Sequence, residues 1–88
     1  MIHISEKQHK KALVMRLKRI EGQLRGIQRL IEEEAACEAI AQQLCAATRA
    51  MEKAHNTMLG CLIEAQLTAR GLSRAEAQPV VDIVSRFG

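Results

Sequence analysis

Apolar residues in this chain recur at a heptad spacing through two long runs, and few folds accept that pattern. In the first run Leu13, Leu17, Ile20, Leu24, Ile27 and Ile31 follow at alternating steps of four and three. In the second, Cys37, Leu44, Met51, Met58 and Ala65 repeat every seven residues, with Ile40, Ala47, Ala54 and Cys61 between them. Steps of three and four gather side chains on one face of a helix, whereas a strand needs a period of two. The spacing predicts a first helix over about residues 5–33 and a second over about 37–69. Ser5 with Gln8 forms a capping box ahead of the first run. Glu32-Glu33-Glu34 and Ala35-Ala36 separate the two runs, and Arg70-Gly71 closes the second. Ser73 with Glu76 is another capping box and predicts a short third helix over about 73–87. Val80, Ile83, Val84 and Phe87 form its apolar face, and Pro79 is expected to kink or restart it.

The composition agrees with an all-α domain spanning 1–88. Five Gly and one Pro are too few turn formers for an all-β fold. One aromatic residue, Phe87, leaves no base-stacking platform of the kind RNA modules use. No apolar run approaches a membrane span, so no membrane partner is expected. No charged-then-apolar leader precedes residue 20, so the expected compartment is the cytoplasm. Gly22 and Gly26 interrupt good helix formers, each at about 1 kcal/mol relative to Ala. Their presence predicts a close helix–helix approach there.

Two long helices and a short one do not enclose the second stripe. A helix of that length presents a wide apolar face with only the first helix to cover it. Homo-oligomerisation through the second helix follows, most simply as a two-fold antiparallel pair.

Charge is uneven along the chain. Residues 1–31 carry eight bases (Lys7, Lys10, Lys11, Arg16, Lys18, Arg19, Arg25, Arg29) against two acids, while 32–38 carry four acids and no base. A basic half on a chain of net charge +3 suggests a polyanion partner. Arg16 and Arg19 share a helical face, and Lys18, Arg25 and Arg49 are further candidates for phosphate contact. The competing reading is a helical oligomerisation scaffold whose basic face is merely solvated. Tight, sequence-selective DNA binding separates the two.

The three cysteines, Cys37, Cys45 and Cys61, stand 8 and 16 residues apart with no CxxC. A zinc ribbon or finger within one chain is not supported. Cys37 and Cys61 fall on the second stripe, about 36 Å apart along one helix, so one chain does not join them. An antiparallel pair whose axis passes near residue 49 sets Cys37 of one subunit against Cys61 of the other. Two buried cysteines acting as small hydrophobes satisfy the same spacing. Cys45 flanks the stripe and reads as packing. His3 in the N-terminal arm and Glu64 near Cys61 are the candidates to complete a metal site. The chain has no glycine-rich phosphate loop, nucleophile elbow or paired His/carboxylate spacing, so it does not read as an enzyme.

The segment Arg16-Leu17-Lys18-Arg19-Ile20-Glu21-Gly22-Gln23-Leu24-Arg25-Gly26-Ile27 resembles the signature of the CsoR/RcnR/FrmR family of small helical repressors. Cys37 followed by Ala39-Ile40-Ala41-Gln42-Gln43-Leu44 resembles the start of that family's second helix. The resemblance covers essentially the whole chain. It implies a three-helix protomer, an antiparallel dimer and a dimer-of-dimers tetramer. It also implies binding of double-stranded operator DNA without a helix-turn-helix, and release of that DNA on an effector. The effectors it implies are Cu(I), another soft or borderline transition metal such as Ni or Co, or a thiol-directed small molecule. Cys37 matches the family's sensor cysteine. The family's usual His or Asn position falls on Leu62, and its Cys or His position four residues on falls on Gln66; Cys61 lies one residue before the first. Persulfide-sensing members pair two cysteines across the subunit interface, a role Cys37 and Cys61 would imitate. Formaldehyde sensors use an N-terminal proline, where this chain has Ile2.

Overall fold

The computed structural model describes residues 7–87, with side chains from His9 to Arg86. His3 and the Ser5 cap lie outside the described residues, as does the Phe87 side chain. The fold is all-α, as the periodicity predicts. Three helices follow in order: α1 (Lys7–Glu32), α2 (Cys37–Ala69) and α3 (Arg74–Phe87).

Both interhelical turns end the preceding helix in the same way. After α1, Glu34 adopts a left-handed φ of 57°, and the Ala35 N–H donates back to the Leu30 carbonyl at 2.9 Å. After α2, Gly71 has φ 97°, and the Leu72 N–H donates to the Leu67 carbonyl at 3.2 Å. This six-to-one bond satisfies a carbonyl that the helix itself leaves orphaned. At the head of α3 the Ser73 hydroxyl accepts from the Glu76 N–H at 3.1 Å and donates to its carboxylate at 3.0 Å. The Ser73–Glu76 pairing read from the sequence is therefore made. Pro79, in contrast, neither restarts nor ends α3, which runs through it. The ring removes one bond near the helix start, while Ala77 and Val81 on either side are buried and hold the helix in place.

The central element is α2. Both α1 and α3 pack on it and, among the described residues, do not touch each other. The molecule is elongated, 55 × 23 × 19 Å. Ile20 and Ile27 of α1 are buried, and Ala47 and Ala54 are the buried residues of the α2 segment that α1 covers. At the other end Gly60 of α2 lies under Val81 and Ser85 of α3. Among the described residues the core holds no large side chain that is fully buried.

Each heptad stripe divides into two columns seven residues apart. In α1, Leu13, Ile20 and Ile27 turn inward, while Leu17, Leu24 and Ile31 stay exposed. In α2, Ile40, Ala47, Ala54 and Cys61 form the half-buried to buried column, whereas Cys37, Leu44 and Met51 are exposed. The chain thus uses half of its stripe internally and leaves much of the other half bare, while Met58 and Ala65 towards the end of α2 are half-buried. The close approach expected at Gly22 and Gly26 is not found within the chain, since a Cβ at either would meet nothing within 4 Å. It occurs instead at Gly60, where a Cβ would come 2.5 Å from the Ser85 hydroxyl. The sequence reading weighed glycines by their propensity cost, and that cost does not reveal which one has a neighbour.

Candidate functional site

The hairpin of α1 and α2 sets basic side chains from both helices around one groove of about 370 Å³, lined by Arg16, Arg19, Ile20, Gln23, Ala50 and Lys53. The register follows from the core. Burying Ile20 and Ile27 against the Ala47–Ala54 column places Arg16, one turn before Ile20, beside Lys53, one residue before Ala54. Among the described residues none of these three cations has an ion-pair partner. Three positive charges with no acid among them form an anion-binding surface, and Gln23 adds an amide that both donates and accepts.

The five basic candidates from the sequence therefore separate. Arg16 and Arg19 line the groove. Lys18 and Arg25 are exposed two and five residues from Ile20, on the side of α1 turned away from α2. Arg49 belongs to a different, shallow depression with Leu44, Cys45, Thr48 and Glu52. Lys53 is the residue that sequence reasoning missed. The signal for it was the hairpin register, which the alanine column at 47 and 54 carries but which charge counting along the chain does not use.

The cysteines are also distributed. Cys37 is the first residue of α2, exposed, directly after the uncapped Ala36. Cys45 is exposed rather than packed, because neither α1 nor α3 covers its side of α2. Cys61 is half-buried on the inward column. Burial, and then the negative charge of Glu64, push the Cys61 thiol up from its ordinary range, which disfavours the thiolate. Glu64 itself is engaged: its carboxylate accepts from the Arg74 guanidinium at 3.0 Å, with only 14% of the Glu64 side chain exposed. That pair ties α3 to α2. Among the described residues no group of three His, Cys, Asp or Glu side chains is placed to hold a metal ion. No helix is long and apolar enough to cross a membrane.

Comparison with known proteins adds the family. The family model for metal-sensitive transcriptional repressors matches residues 9–86. The copper-sensing transcriptional repressor CsoR of Mycobacterium ulcerans is 35% identical over 80 residues, covering 85% of this chain and 67% of that protein. CsoR of Mycobacterium tuberculosis is 32% identical over 80 residues, with 85% and 66% covered. The copper-sensing repressor RicR of the same organism is 46% identical over 44 residues, half of this chain and 46% of that one. The chain thus spans about two thirds of the length of the CsoR relatives. No solved structure matches it at the same stringency. With the family model spanning all three helices, the chain belongs to the metal-sensitive transcriptional repressor family, a family of repressors and not of enzymes.

Proposed function

We propose that this chain is a DNA-binding repressor of the cytoplasm that assembles through its bare stripe and lets go of its operator when an effector acts at Cys37. The observation that carries the reading is the groove of Arg16, Arg19 and Lys53, three cations from two helices with no acid to neutralise them. Lys and Arg contacts to phosphate supply the bulk of DNA affinity and make it salt-dependent. No helix of the three stands clear of the others as a major-groove reader, so sequence-dependent DNA shape carries much of the selectivity.

Assembly follows from the exposed columns. Leu17, Leu24 and Ile31 of α1 and Leu44 and Met51 of α2 are between 38% and 55% exposed in the single chain. An antiparallel second copy covers them, and pairing of two such dimers gives the tetramer. Cys37 begins the exposed column of α2 and therefore lies at the edge of that interface. The relatives' names put a soft metal ion such as Cu(I) first among effectors, with a thiol-directed molecule as the alternative. Either acts as a switch only by binding the DNA-free state more tightly, and DNA then weakens effector binding by the same factor.

The test is fluorescence anisotropy on a duplex selected by the wild-type protein from a random-sequence pool. Arg16→Ala with Arg19→Ala should weaken binding at least tenfold, about 1.4 kcal/mol, and flatten the salt dependence. Lys53→Ala should act in the same direction, while Arg49→Ala should have less effect. Unchanged affinity in a correctly assembled double variant would overturn the reading.

A further inference from the structure

Resting on the assignment of Cys37 as the effector position, we infer that the described helices do not build a closed soft-metal site around it, from one subunit or from two. Cu(I) selects thiolates, thioethers and imidazoles, and tight protein sites supply two or three of them. Within the chain, Cys37 is exposed at one end of α2 and Cys61 lies 24 residues further along the same helix, about 36 Å away. An antiparallel second copy brings the far end of its α2 near Cys37, but with the outward side of that helix. There Leu62 is exposed, and Met58 and Ala65, which continue the column that begins at Cys37, are half-buried. Leu62 is 40% exposed and carries only hydrocarbon. Cys61 is half-buried on the column of Ala47 and Ala54, not on the column that begins at Cys37.

The other donors are placed no better. Glu64 is a hard ligand already held by Arg74 at 3.0 Å and mostly buried. Cys45 is two residues from the inward Ala47, so it projects nearly opposite to it, in the depression with Arg49 and Glu52. His55 lies about 27 Å along the helix axis from Cys37 of its own chain, and in an antiparallel pair with its axis near residue 49 it falls six residues, about 9 Å, from the position opposite Cys37. On the column that begins at Cys37, the soft atom toward the far end of α2 is the Met58 thioether, a weak acceptor. A single thiolate with a thioether does not outcompete a strong chelator. Of the two effector classes open to Cys37, the thiol-directed one needs a single sulfur and no second protein donor, and it is the class this donor set serves.

The experiment is an anaerobic Cu(I) titration of the full chain against the chelator bicinchoninate, read by the chelator's absorbance. The expected result is that wild type and Cys37→Ser behave alike and the chelator keeps the metal. Retention of one Cu(I) per protomer by the wild-type protein would overturn the inference. In that event Cys61→Ser and His3→Ala show whether the inward cysteine or the N-terminal arm completes the site. Anisotropy of the metal-free protein on its selected duplex is recorded in parallel. Absence of DNA binding there overturns the repressor reading and leaves the copper result standing on its own.

Discussion

The two hairpins that share α2 are closed by the same kind of turn and built for different ends. The α2–α3 hairpin is fastened internally. Gly60 lets α3 come close, Ala77 and Val81 are buried, and the Glu64–Arg74 pair and the Ser73 cap secure its ends. The α1–α2 hairpin has two buried isoleucines opposite an alanine column, no ion pair among its described residues, and a row of exposed apolar side chains. It also carries the basic groove and Cys37. Local fastening and bare surface are alternatives for one helix face, because a face already satisfied within the chain has nothing left to offer a partner. On the proposed reading, the weakly fastened hairpin is therefore the one whose geometry a second subunit, DNA and an effector would shift.

If that contrast holds, a charge in the bare stripe should do the most damage. Met51 is 52% exposed in the single chain and lies close to the middle of α2. Met51→Glu sets two like carboxylates against each other in an apolar seam of the antiparallel pair. Buried charge without a partner is strongly unfavourable. Sedimentation should show self-association weakened at least about a hundredfold, about 2.7 kcal/mol, with loss of helical signal as the chain fails to persist alone. A folded, stable monomer of the wild-type protein at micromolar concentration would break the comparison, because the first hairpin would then stand without a partner.

A smaller effect separates the two hairpins through their glycines. At Gly60 a Cβ would lie 2.5 Å from the Ser85 hydroxyl oxygen and 3.3 Å from a Val81 methyl. The serine hydroxyl can rotate away, but the β-branched valine is stiff. Overpacking of this kind costs about 1–3 kcal/mol, and alanine returns about 1 kcal/mol of helix propensity. Gly60→Ala should therefore lose stability by about 1 kcal/mol in urea denaturation, and adding Ser85→Ala should restore part of it. Gly26→Ala, with nothing within 4 Å of its Cβ, should gain up to about 1 kcal/mol. A loss at Gly26 instead would place a second subunit against α1 at that position.

Much of this architecture was legible because helices are written in local spacing. The heptad runs announced α1 and α2, and Ser73 with Glu76 announced α3 before any contact was known. What the spacing does not contain is direction. A heptad stripe holds two columns, and the sequence does not say which column the chain keeps and which it offers; Ile20 and Leu24 look alike until α1 is laid on α2. The spacing already sets Cys37 and Cys61 in different columns of one stripe, and what the structure adds is that Cys37 is exposed and Cys61 half-buried. Lys53 escaped notice for a related reason. It lies 34 residues from Arg19 in sequence, and only the fold makes them neighbours. At Pro79 the local rule allowed a kink or a fresh start, and the structure removes the second, keeping Pro79 inside α3 between the buried Ala77 and Val81.

The finest test of the comparison uses the two turns themselves. Both place one residue in the left-handed region, with φ 57° at Glu34 and 97° at Gly71. For a residue with a Cβ this conformation costs roughly 1–2 kcal/mol, and glycine adopts it freely. The first hairpin carries that strain and the second does not. Glu34→Gly should relieve it and raise stability, by up to about 1 kcal/mol once the extra freedom of glycine in the unfolded chain is subtracted. It also removes one of four acids at the α1–α2 junction. Glu34→Gln, which removes the charge but keeps a Cβ-bearing residue in the left-handed region, separates the two contributions. Gly71→Ala should destabilise by about 1 kcal/mol or more, because alanine does not fit φ 97°. Urea denaturation of the three variants reads the difference directly. If Glu34→Gln raises stability as much as Glu34→Gly does, charge repulsion and not backbone strain distinguishes the first turn. If Gly71→Ala is neutral, the second hairpin is not closed by its glycine.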